Sequence, residues 1–353
     1  MELIMNQLPV RTWNHLRMNE RKITLEDVKE SCMPIVKLQD SGLVWNTDGT
    51  VEPRMKQIET GMGADLNRYM QGALVGNLRS MAGENVKEVA VIEFSHLPEM
   101  RAANCLNIVA EKNSNMSVVL LLDSPEKGEG ISALQTRIYA EKGASVQVYV
   151  VQLLNDGFIS LNDIGIVCEE GSCVELEKLE LGAGQAYAGT AVDLRGEDSI
   201  FKSKIGYHVQ KNQKLDMNYV VNHYGKRTKS LMDVSGVLED GSFKIFRGTI
   251  DFKKGSSGST GIENEKVLLM GDEMVNQTIP LILCQEEDVE GNHGATIGHL
   301  DEKIMFFLKS RGFAENEAQE MIAQAGIDML CDRIPVDEVR QKIQAFELTR
   351  GEH

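Results

Sequence analysis

The sequence predicts a mainly β fold built from many short strands, because it is poor in aromatic residues, rich in glycine and regularly interrupted by turns. Of the 353 residues, only 5% are aromatic, whereas 32 are glycine and 17 are methionine. Between Leu106 and Ala295, short aliphatic runs are separated by Gly, Asn or Asp turns and show little helical periodicity. The runs are Ser117–Asp123, Ser145–Leu154, Cys173–Leu181, Ser242–Phe252, Val267–Met270 and Ile279–Cys284.

A polar corner that contains glycine recurs in this region, and a β-rich run follows it each time. The glycines are Gly143, Gly171, Gly196 and Gly241, at intervals of 28, 25 and 45 residues. Because the last interval is close to two equal steps, the spacing predicts stacked coils of about two dozen residues each. Such stacking is typical of a β-helix or solenoid. A sandwich or a barrel would also contain short strands, but neither requires glycine corners at this step.

The regions on either side of the strands have a different texture, which divides the chain into residues 1–105, 106–295 and 296–353. The first region is mixed and partly helical. Within residues 63–81 the apolar positions follow the spacing of one helix face, which predicts a packing helix. These positions are Leu66, Tyr69, Met70, Ala73 and Leu74.

The third region, residues 296–353, predicts a helical module with three amphipathic helices. The first opens at Asp301 and ends at Gly312, and the second carries its apolar stripe over residues 318–325. The third begins at Pro335, a residue that is favoured in the first turn of a helix. The apolar faces must pack on the β core, on each other or on a partner.

The composition argues against nucleic-acid and membrane functions. The formal charge of −16, from 37 Lys and Arg against 53 Asp and Glu, would repel a phosphate backbone. The most basic stretch, residues 226–229, is short and is interpreted as a solvated edge. No apolar run approaches the roughly 20 residues of a membrane span, and the first residues do not resemble a secretory signal. We therefore expect a cytoplasmic protein.

The cysteines do not form a recognisable metal-binding motif. None of the six belongs to a C-x-x-C pair, so a zinc ribbon and a ferredoxin-type cluster loop are not expected. Dispersed thiols are most simply reduced and structural. They are Cys32, Cys105, Cys168, Cys173, Cys284 and Cys331.

Several catalytic and nucleotide-binding motifs are also missing. The Gly-Ser stretch at residues 255–261 is not followed by Gly-Lys-Ser/Thr or by a predicted helix, so it is interpreted as a flexible corner. The sequence contains neither a Gly-x-Gly-x-x-Gly set nor a Gly-x-Ser-x-Gly elbow. We expect no nucleotide to bind to this chain and no catalytic residue in it.

One histidine stands in a context that suggests a site. His293 lies among glycines at the junction of the strand region and the helical module, and Cys284 precedes it by nine residues. An imidazole at such a place can ligate iron or carry a proton, and a strand thiol can be either a ligand or a buried structural group. His299 is expected to cap or pack the following helix. The histidines expected to be structural are His15, His96, His208, His223 and His353.

Four segments resemble the SufB/SufD family of iron–sulfur cluster assembly proteins. Residues 291–313, from Gly-Asn-His-Gly-Ala-Thr to Ser-Arg-Gly-Phe, resemble the C-terminal signature of that family, and the helix at 318–325 fits it too. The run Leu238–Asp251 and the opening Leu8–Asn14 are similar to further parts of the family pattern. The resemblance covers the strand region and the C-terminal module well, and the rest of the N-terminal region loosely.

The resemblance implies an N-terminal helical part, a right-handed parallel β-helix core and a C-terminal helical domain. It also implies a scaffold that is not itself an enzyme. In this family SufB and SufD pair along their β-helices, and each binds a copy of SufC, an ABC-type ATPase. A transient iron–sulfur cluster is built at the subunit interface with sulfur from a cysteine desulfurase. Flavin binding stays open.

Within the family the sequence is most similar to SufD. SufB-like chains are usually longer and have a cysteine just before the Leu-Leu-x-Gly strand, and here residues 262–266 contain none. His293 matches the SufD histidine, although Gly291 stands where many SufD chains have a cysteine. The predicted site is therefore His293 as cluster or metal ligand, completed by a thiolate of the partner, with Cys284 as an alternative metal ligand.

Two other functions remain as alternatives. One is a homodimeric, SufB-like scaffold of a minimal system that contains only this chain and SufC. The other is a β-helical enzyme that acts on polysaccharides, which would need clustered carboxylates and aromatic platforms. The acids here are scattered through turns and aromatic residues are few, so the scaffold is the preferred hypothesis.

Overall fold

The computed structural model describes residues 1–12, 16–28, 30–299 and 302–350, and its main feature is a parallel β-solenoid of two nine-stranded sheets. The predicted mainly β fold of the β-helix type is confirmed. In chain order the strands are β1 (Glu2–Met5), β2 (Arg21–Thr24), β3 (Ile35–Lys37), β4 (Leu43–Asn46), β5 (Leu74–Ser80), β6 (Ala90–Ser95), β7 (Arg101–Ala110), β8 (Asn115–Asp123), β9 (Gly130–Ala140), β10 (Ser145–Leu153), β11 (Phe158–Cys168), β12 (Cys173–Glu180), β13 (Gln185–Leu194), β14 (Ile200–Val209), β15 (Lys214–His223), β16 (Lys229–Glu239), β17 (Phe243–Phe252), β18 (Ser259–Met270), β19 (Val275–Cys284) and β20 (Val289–Gly298). The helices are α1 (Pro53–Lys56), α2 (Ala64–Tyr69), α3 (Glu302–Ser310), α4 (Glu315–Cys331) and α5 (Asp337–Arg350).

The chain alternates between the two sheets, so that each coil contributes one strand to each. Sheet 1 has the order β3-β6-β8-β10-β12-β14-β16-β18-β20, and sheet 2 has the order β4-β5-β7-β9-β11-β13-β15-β17-β19. All neighbours pair in parallel except the first pair of each sheet, β3 with β6 and β4 with β5, which is antiparallel. The aliphatic side chains between the sheets form one continuous core.

The coils are longer than the predicted two dozen residues. Register partners in successive coils are separated by 26 residues at the shortest, from Ile159 to Gln185, and by 32 at the longest, from Phe243 to Val275. The prediction was wrong because Gly241 lies at the corner between β16 and β17, opposite the corner that holds Gly196. The 45 residues between these glycines are therefore one and a half coils, not two.

One line of corners repeats the same backbone conformation in successive coils. Each corner holds one residue with a positive φ, and its N–H donates to a carbonyl one coil further on, as from Gly143 to Glu170 and from Gly171 to Glu197 at 2.9 Å. This conformation is easy for glycine and tolerated by Asn and Asp, which explains the polar glycine corners in the sequence. The residues are Gly83, Asn113, Gly143, Gly171, Asp198, Arg227 and Gly258.

The N-terminal segment covers the outer face of sheet 2. Leu66 and Tyr69 of α2 are buried with Leu3 of β1 against Ala103 and Ile131 of the sheet.

The predicted helix over residues 63–81 is too long, because α2 ends after six residues and residues 74–80 form β5. The parallel pairing of β7 with β5 and β9 also continues across residue 105, where the first of the three predicted regions ended. Trp13, Asn14 and His15 lie outside the described residues.

The C-terminal helices follow the solenoid as expected, and α5 covers the outer face of sheet 1. Val339 and Ile343 are buried against Val119, Leu121 and Leu179 of that face. The helices begin close to the predicted places, and α5 starts two residues after Pro335. β20 continues three residues beyond 295, where the predicted core ended. Asp301 and His353 lie outside the described residues.

Ion pairs hold α5 at its middle and near its end. In the middle, Lys342 contacts the carboxylate of Glu93 and lies 3.1 Å from Asp123 Oδ2. Near its end, the buried ring of His208 lies 2.7 Å from Glu239 and 3.3 Å from Glu347 of the helix. Burial alone would lower the pKa of His208, but the two carboxylates outweigh it and raise that pKa above 6.5. The imidazole therefore links α5 to the solenoid, and it keeps its charge to a higher pH than an unperturbed histidine does.

This link predicts a pH-dependent contribution to stability. Because the pKa of His208 is higher in the folded protein than in the unfolded chain, its stabilisation is complete below pH 6.5 and is lost as the pH rises through the folded value. His208→Gln should lower the free energy of unfolding by about 1–3 kcal/mol at pH 6, and by less at pH 9. Urea unfolding at both pH values measures this difference. An equal loss at both would contradict the charged link.

Candidate functional site

The last coil of the solenoid leaves the edges of both sheets open. β19 and β20 are the terminal strands of their sheets, and no strand in the described part of the chain pairs with their outer edges. Most residues of β20 are exposed, whereas β17, in the preceding coil, is almost entirely buried. An open edge offers a row of backbone donors and acceptors to another chain. The candidate site therefore lies at this end of the molecule.

His293 lies in the middle of β20 and is exposed. Its register partner on the neighbouring strand is Glu263, which is 3% exposed. Register partners in parallel strands project to the same face of the sheet, so His293 lies on the inward-facing side. It remains exposed because no further coil covers it. The structure thus places the predicted site residue over the interior of the solenoid.

Beneath β20 the interior is polar instead of aliphatic. Lys244 of β17 is fully buried, forms a close ion pair with Glu265, and donates to Asn276 Oδ1 at 2.9 Å and to Thr278 Oγ1 at 3.1 Å. Thr278 in turn donates to Glu265 Oε2 at 2.6 Å. Glu263 shares the face of Glu265 two positions away. We call Lys244, Glu263 and Glu265 the buried charge cluster.

The environment of this cluster shifts its proton equilibria. Burial and the nearby charge of Glu265 raise the pKa of Glu263 to about 8. Burial also lowers the pKa of Lys244, although the contact with Glu265 opposes that shift. At neutral pH Glu263 is therefore mostly a neutral acid, and Lys244 with Glu265 forms the ion pair. Shifts of this kind are common at functional sites and also in structural ion networks.

Glycine at position 248 makes room for the cluster. A β-carbon added to Gly248 would lie 2.0 Å from Oε2 of Glu263, so no larger residue fits without moving that carboxyl group. None of these four residues was predicted as a site residue from the sequence. The available signal was the run Glu263-Asn264-Glu265-Lys266, which interrupts an aliphatic strand pattern with acids at alternate positions.

Cys284, the alternative metal ligand, lies elsewhere on the same end. It is the exposed last residue of β19 and pairs in register with Phe252. Ile282 faces Gly291 across the interior, where its Cγ2 lies 2.9 Å from the position of an added β-carbon. Cys284 lies two residues from Ile282, and His293 lies two residues from Gly291 in the opposite direction. The two side chains are therefore about 13 Å apart along the strands. The structure does not bring these two residues together.

Gly291 occupies the place of the cysteine found in many SufD chains. An added β-carbon there would lie 2.9 Å from Ile282 and 3.1 Å from Phe252, so the two apolar side chains already fill the space of a ligand. Among the described residues, no group of three or more His, Cys, Asp and Glu side chains is arranged to hold a metal ion. His293 would therefore need donors from beyond the described part of this chain.

Three other histidines are buried and hydrogen-bonded, as expected for structural residues. His96 contacts the carbonyls of Phe94 and Asp123, and His223 lies between the hydroxyls of Thr228 and Ser230. His208 holds α5 through its two carboxylate partners. His299 follows β20 and is exposed. His15 lies outside the described residues.

Comparison with protein families finds one match over most of the solenoid. Residues 95–326 match the family model described as "SUF system FeS cluster assembly, SufBD core domain". The matched range includes the edge strands, His293 and the buried charge cluster. It also includes α3 and most of α4.

Individual relatives are similar over stretches of 165 to 242 residues. The chain is 22% identical over 242 residues to the iron–sulfur cluster assembly protein SufD of Bacillus subtilis (strain 168), covering 68% of this chain and 55% of the relative. It is 27% identical over 165 residues to SufD of Escherichia coli (strain K12), covering 47% and 39%. It is 24% identical over 200 residues to SufB of Bacillus subtilis (strain 168), covering 57% and 43%. The matched stretches span about half the length of these relatives.

The raised pKa of Glu263 predicts how its replacement changes stability. Stability from the protonated acid is complete below pH 4.5 and falls as the pH rises towards the folded pKa of about 8. Glu263→Gln removes this loss, so the variant should gain a few kcal/mol relative to the parent between pH 5 and pH 8, since each pKa unit is worth about 1.4 kcal/mol.

Denaturant unfolding at the two pH values measures this gain. Glu290→Gln is the matched control, because Glu290 lies exposed on β20, and its stability should track that of the parent. A constant difference between Glu263→Gln and the parent at pH 5 and pH 8 would show that Glu263 titrates normally.

Proposed function

The chain belongs to the SufB/SufD family of SUF-system iron–sulfur cluster assembly proteins, and from this we propose that it is a scaffold subunit of such a system. The observation that carries the proposal is the open last coil, which presents His293 above a buried charge cluster. The proposed role is non-catalytic. The chain offers an interface and a ligand, and the nascent cluster is its cargo.

The partner at the open edges is proposed to be a SufB-like subunit. The outer edges of β19 and β20 can accept strands of a second solenoid end to end, which would extend both sheets across the interface. A pair of related chains can do this around a two-fold axis, with His293 close to the junction. This arrangement would bring a thiolate of the partner near the imidazole, for which the described residues of this chain supply no metal-binding cluster.

His293 is proposed as a ligand or proton donor next to the cluster. A neutral imidazole nitrogen suits iron, and the sulfur ligands of such clusters are thiolates. The neutral acid of Glu263 in the neighbouring strand and the Lys244–Glu265 pair provide a buried polar floor behind it. Cys284 remains an alternative metal ligand at the opposite side of the same end.

The proposed second partner is a SufC-like ABC ATPase, bound by the C-terminal helices. α5 buries its apolar face on sheet 1, but α3 exposes its apolar residues, with Phe306 76% and Phe307 53% accessible. Ile304 and Phe313 are also exposed on this part of the chain. An exposed apolar helix face of this kind is typical of a docking surface for a partner.

The choice between a SufD-like and a SufB-like role rests on the partner. A SufB-like chain in the purified complex would support the SufD-like role, and a complex of this chain with the ATPase alone would support the homodimeric alternative. No helix of the described residues is long and apolar enough to cross a membrane. A location in the cytoplasm and an indirect supply of sulfur from a cysteine desulfurase are parts of the proposal.

The ATPase contact can be tested by replacing exposed apolar residues of α3. Phe306→Ser combined with Ile304→Ser should reduce capture of the SufC-like ATPase by about tenfold or more, because exposed aromatic anchors dominate such interfaces. Leu348→Ser is the control, since Leu348 is 73% exposed on α5. Quantitative pull-down from the same host measures capture. Undiminished capture by the α3 variant would reject the docking face.

The role of His293 can be tested by reconstituting the cluster on the purified complex. His293→Ala should lower the cluster yield severalfold at an unchanged melting temperature, because the exposed side chain leaves the fold intact when removed. His299→Ala is the control for a nearby exposed histidine. A normal yield in His293→Ala would remove this residue from the site, and a loss confined to Cys284→Ala would move the site to that thiol.

A further inference from the structure

A groove runs between α4 and the outer face of sheet 1, on the side of the sheet away from the buried charge cluster. It consists of two adjoining cavities of about 370 Å³ and 550 Å³ that share Ser235, Lys266 and Thr296 as lining residues. Cavities of this size suit a small organic molecule. The groove borders β20 through Thr296, but it lies on the outer face of sheet 1 and does not include the exposed residues of α3.

The smaller cavity is apolar. Val237 and Leu268 line it from the sheet, and Ile322, Ile327 and Leu330 line it from α4. Transfer of an apolar ring or chain from water into such a space is favourable in proportion to the area buried. This half of the groove can therefore bind a hydrocarbon group, but its apolar lining does little to fix the orientation of that group.

The larger cavity carries positive charge. Lys204, Lys266 and Arg333 line it together with two acids, Asp233 and Glu265, and the carboxylate of Glu265 is paired with the buried Lys244. Lys204 lies 3.8 Å from Glu177, whereas among the described residues Lys266 and Arg333 form no ion pair within 4.0 Å. Three cations around one cavity stand out in a chain with a formal charge of −16. They create a local field that favours an anionic group.

Small residues keep the groove open. A β-carbon added to Gly298 at the end of β20, or to Gly326 on α4, would have no heavy atom within 4 Å. Gly326 lines the apolar cavity directly. Glycine destabilises a helix interior by about 1 kcal/mol relative to alanine. On the groove side of α4, however, it leaves open a space that a larger side chain would fill.

We propose that this groove binds a small amphipathic organic anion, with its apolar part between α4 and sheet 1 and its anionic group at Lys204, Lys266 and Arg333. The two chemical halves adjoin at Lys266, so one molecule with a ring or chain and a phosphate, carboxylate or sulfonate group occupies both. The inference is independent of the proposed scaffold role, because none of these residues belongs to the open edges.

A pair of fluorescent probes tests the proposal on the full-length chain. The anion 1-anilinonaphthalene-8-sulfonate should bind at one saturable site, and N-phenyl-1-naphthylamine, the same ring system without the sulfonate, should bind it about tenfold more weakly. Lys266→Gln should weaken binding of the anion by about five- to tenfold and leave the neutral probe unchanged, since a charge-assisted hydrogen bond contributes on this scale.

A variant that fills the groove separates it from other apolar surfaces. Gly326→Leu places a side chain in the open apolar cavity and also favours the helix, so it should abolish saturable binding of both probes while the melting temperature stays equal or rises. Ala325→Leu is the matched control, because Ala325 is exposed on the same helix and does not line the groove, and it should bind as the parent does.

The outcomes decide the proposal in either direction. Saturable binding lost in Gly326→Leu and weakened selectively in Lys266→Gln supports it. Binding of the anion that persists in Gly326→Leu places the probe on another surface, such as α3, and overturns it. Equal affinity for the charged and neutral probes, or no saturable binding by the parent chain, overturns it as well.

Discussion

The hydrogen-bond ladder between successive coils is the constraint on which the rest of the structure depends. Each strand satisfies its backbone groups on the coil before and the coil after, and the left-handed corner residues continue this pairing around the turn, as Gly143 does with Glu170. A ladder of this kind can be extended but not closed, because a parallel solenoid always ends in two strands with unpaired edges. At the N-terminal end, antiparallel β3 and β4 cover these edges. At the C-terminal end β19 and β20 stay open, so the architecture itself places the surface available for another chain next to His293.

Burying the charge cluster costs free energy, and this cost makes the cluster informative about function. Most of the interior is aliphatic, and a charged group in such surroundings loses its hydration. Lys244 recovers part of that loss through Glu265, Asn276 and Thr278, while Glu263 avoids most of it by keeping its proton. A second buried pair, Lys178 with Glu180 at 2.9 Å, lies further from the open end. Apolar residues of similar volume would fill the same space without this cost, so stability alone does not account for acids and lysines directly beneath the open coil.

The sequence predicted those features that depend on local conformation and missed those that depend on register. Glycine corners indicated a solenoid because Gly143, Gly171 and Gly241 each adopt a left-handed conformation that only a few side chains tolerate, and at the corner of Gly196 the neighbouring Asp198 adopts it. The coil length was misjudged because glycine at position 196 and glycine at position 241 look alike in sequence but lie at opposite corners. His293 was found through its resemblance to a family pattern. Glu263 and Lys244 were missed because only the pairing of β17 and β18 with their neighbours shows which of their alternating residues face inward. The groove beside Lys266 was missed because it requires a helix to pack on a sheet from elsewhere in the chain.

The two coverings of the solenoid explain why its functional surfaces lie at one end. The N-terminal segment lies over the outer face of sheet 2, and α5 lies over sheet 1 in the region of Val119 and Leu179. Neither covering element reaches the outer edges of β19 and β20. α4 crosses the late coils as well: Ala318, Ile327 and Cys331 are buried, and the groove lies beside Ile322, Gly326 and Leu330. Open strand edges, exposed helix face and groove thus lie together at the C-terminal end of the solenoid. The outer face of the last coil is covered on sheet 2, where Leu8 and Met18 pack with Ile279 of β19, but the outer edges of β19 and β20 are unpaired among the described residues.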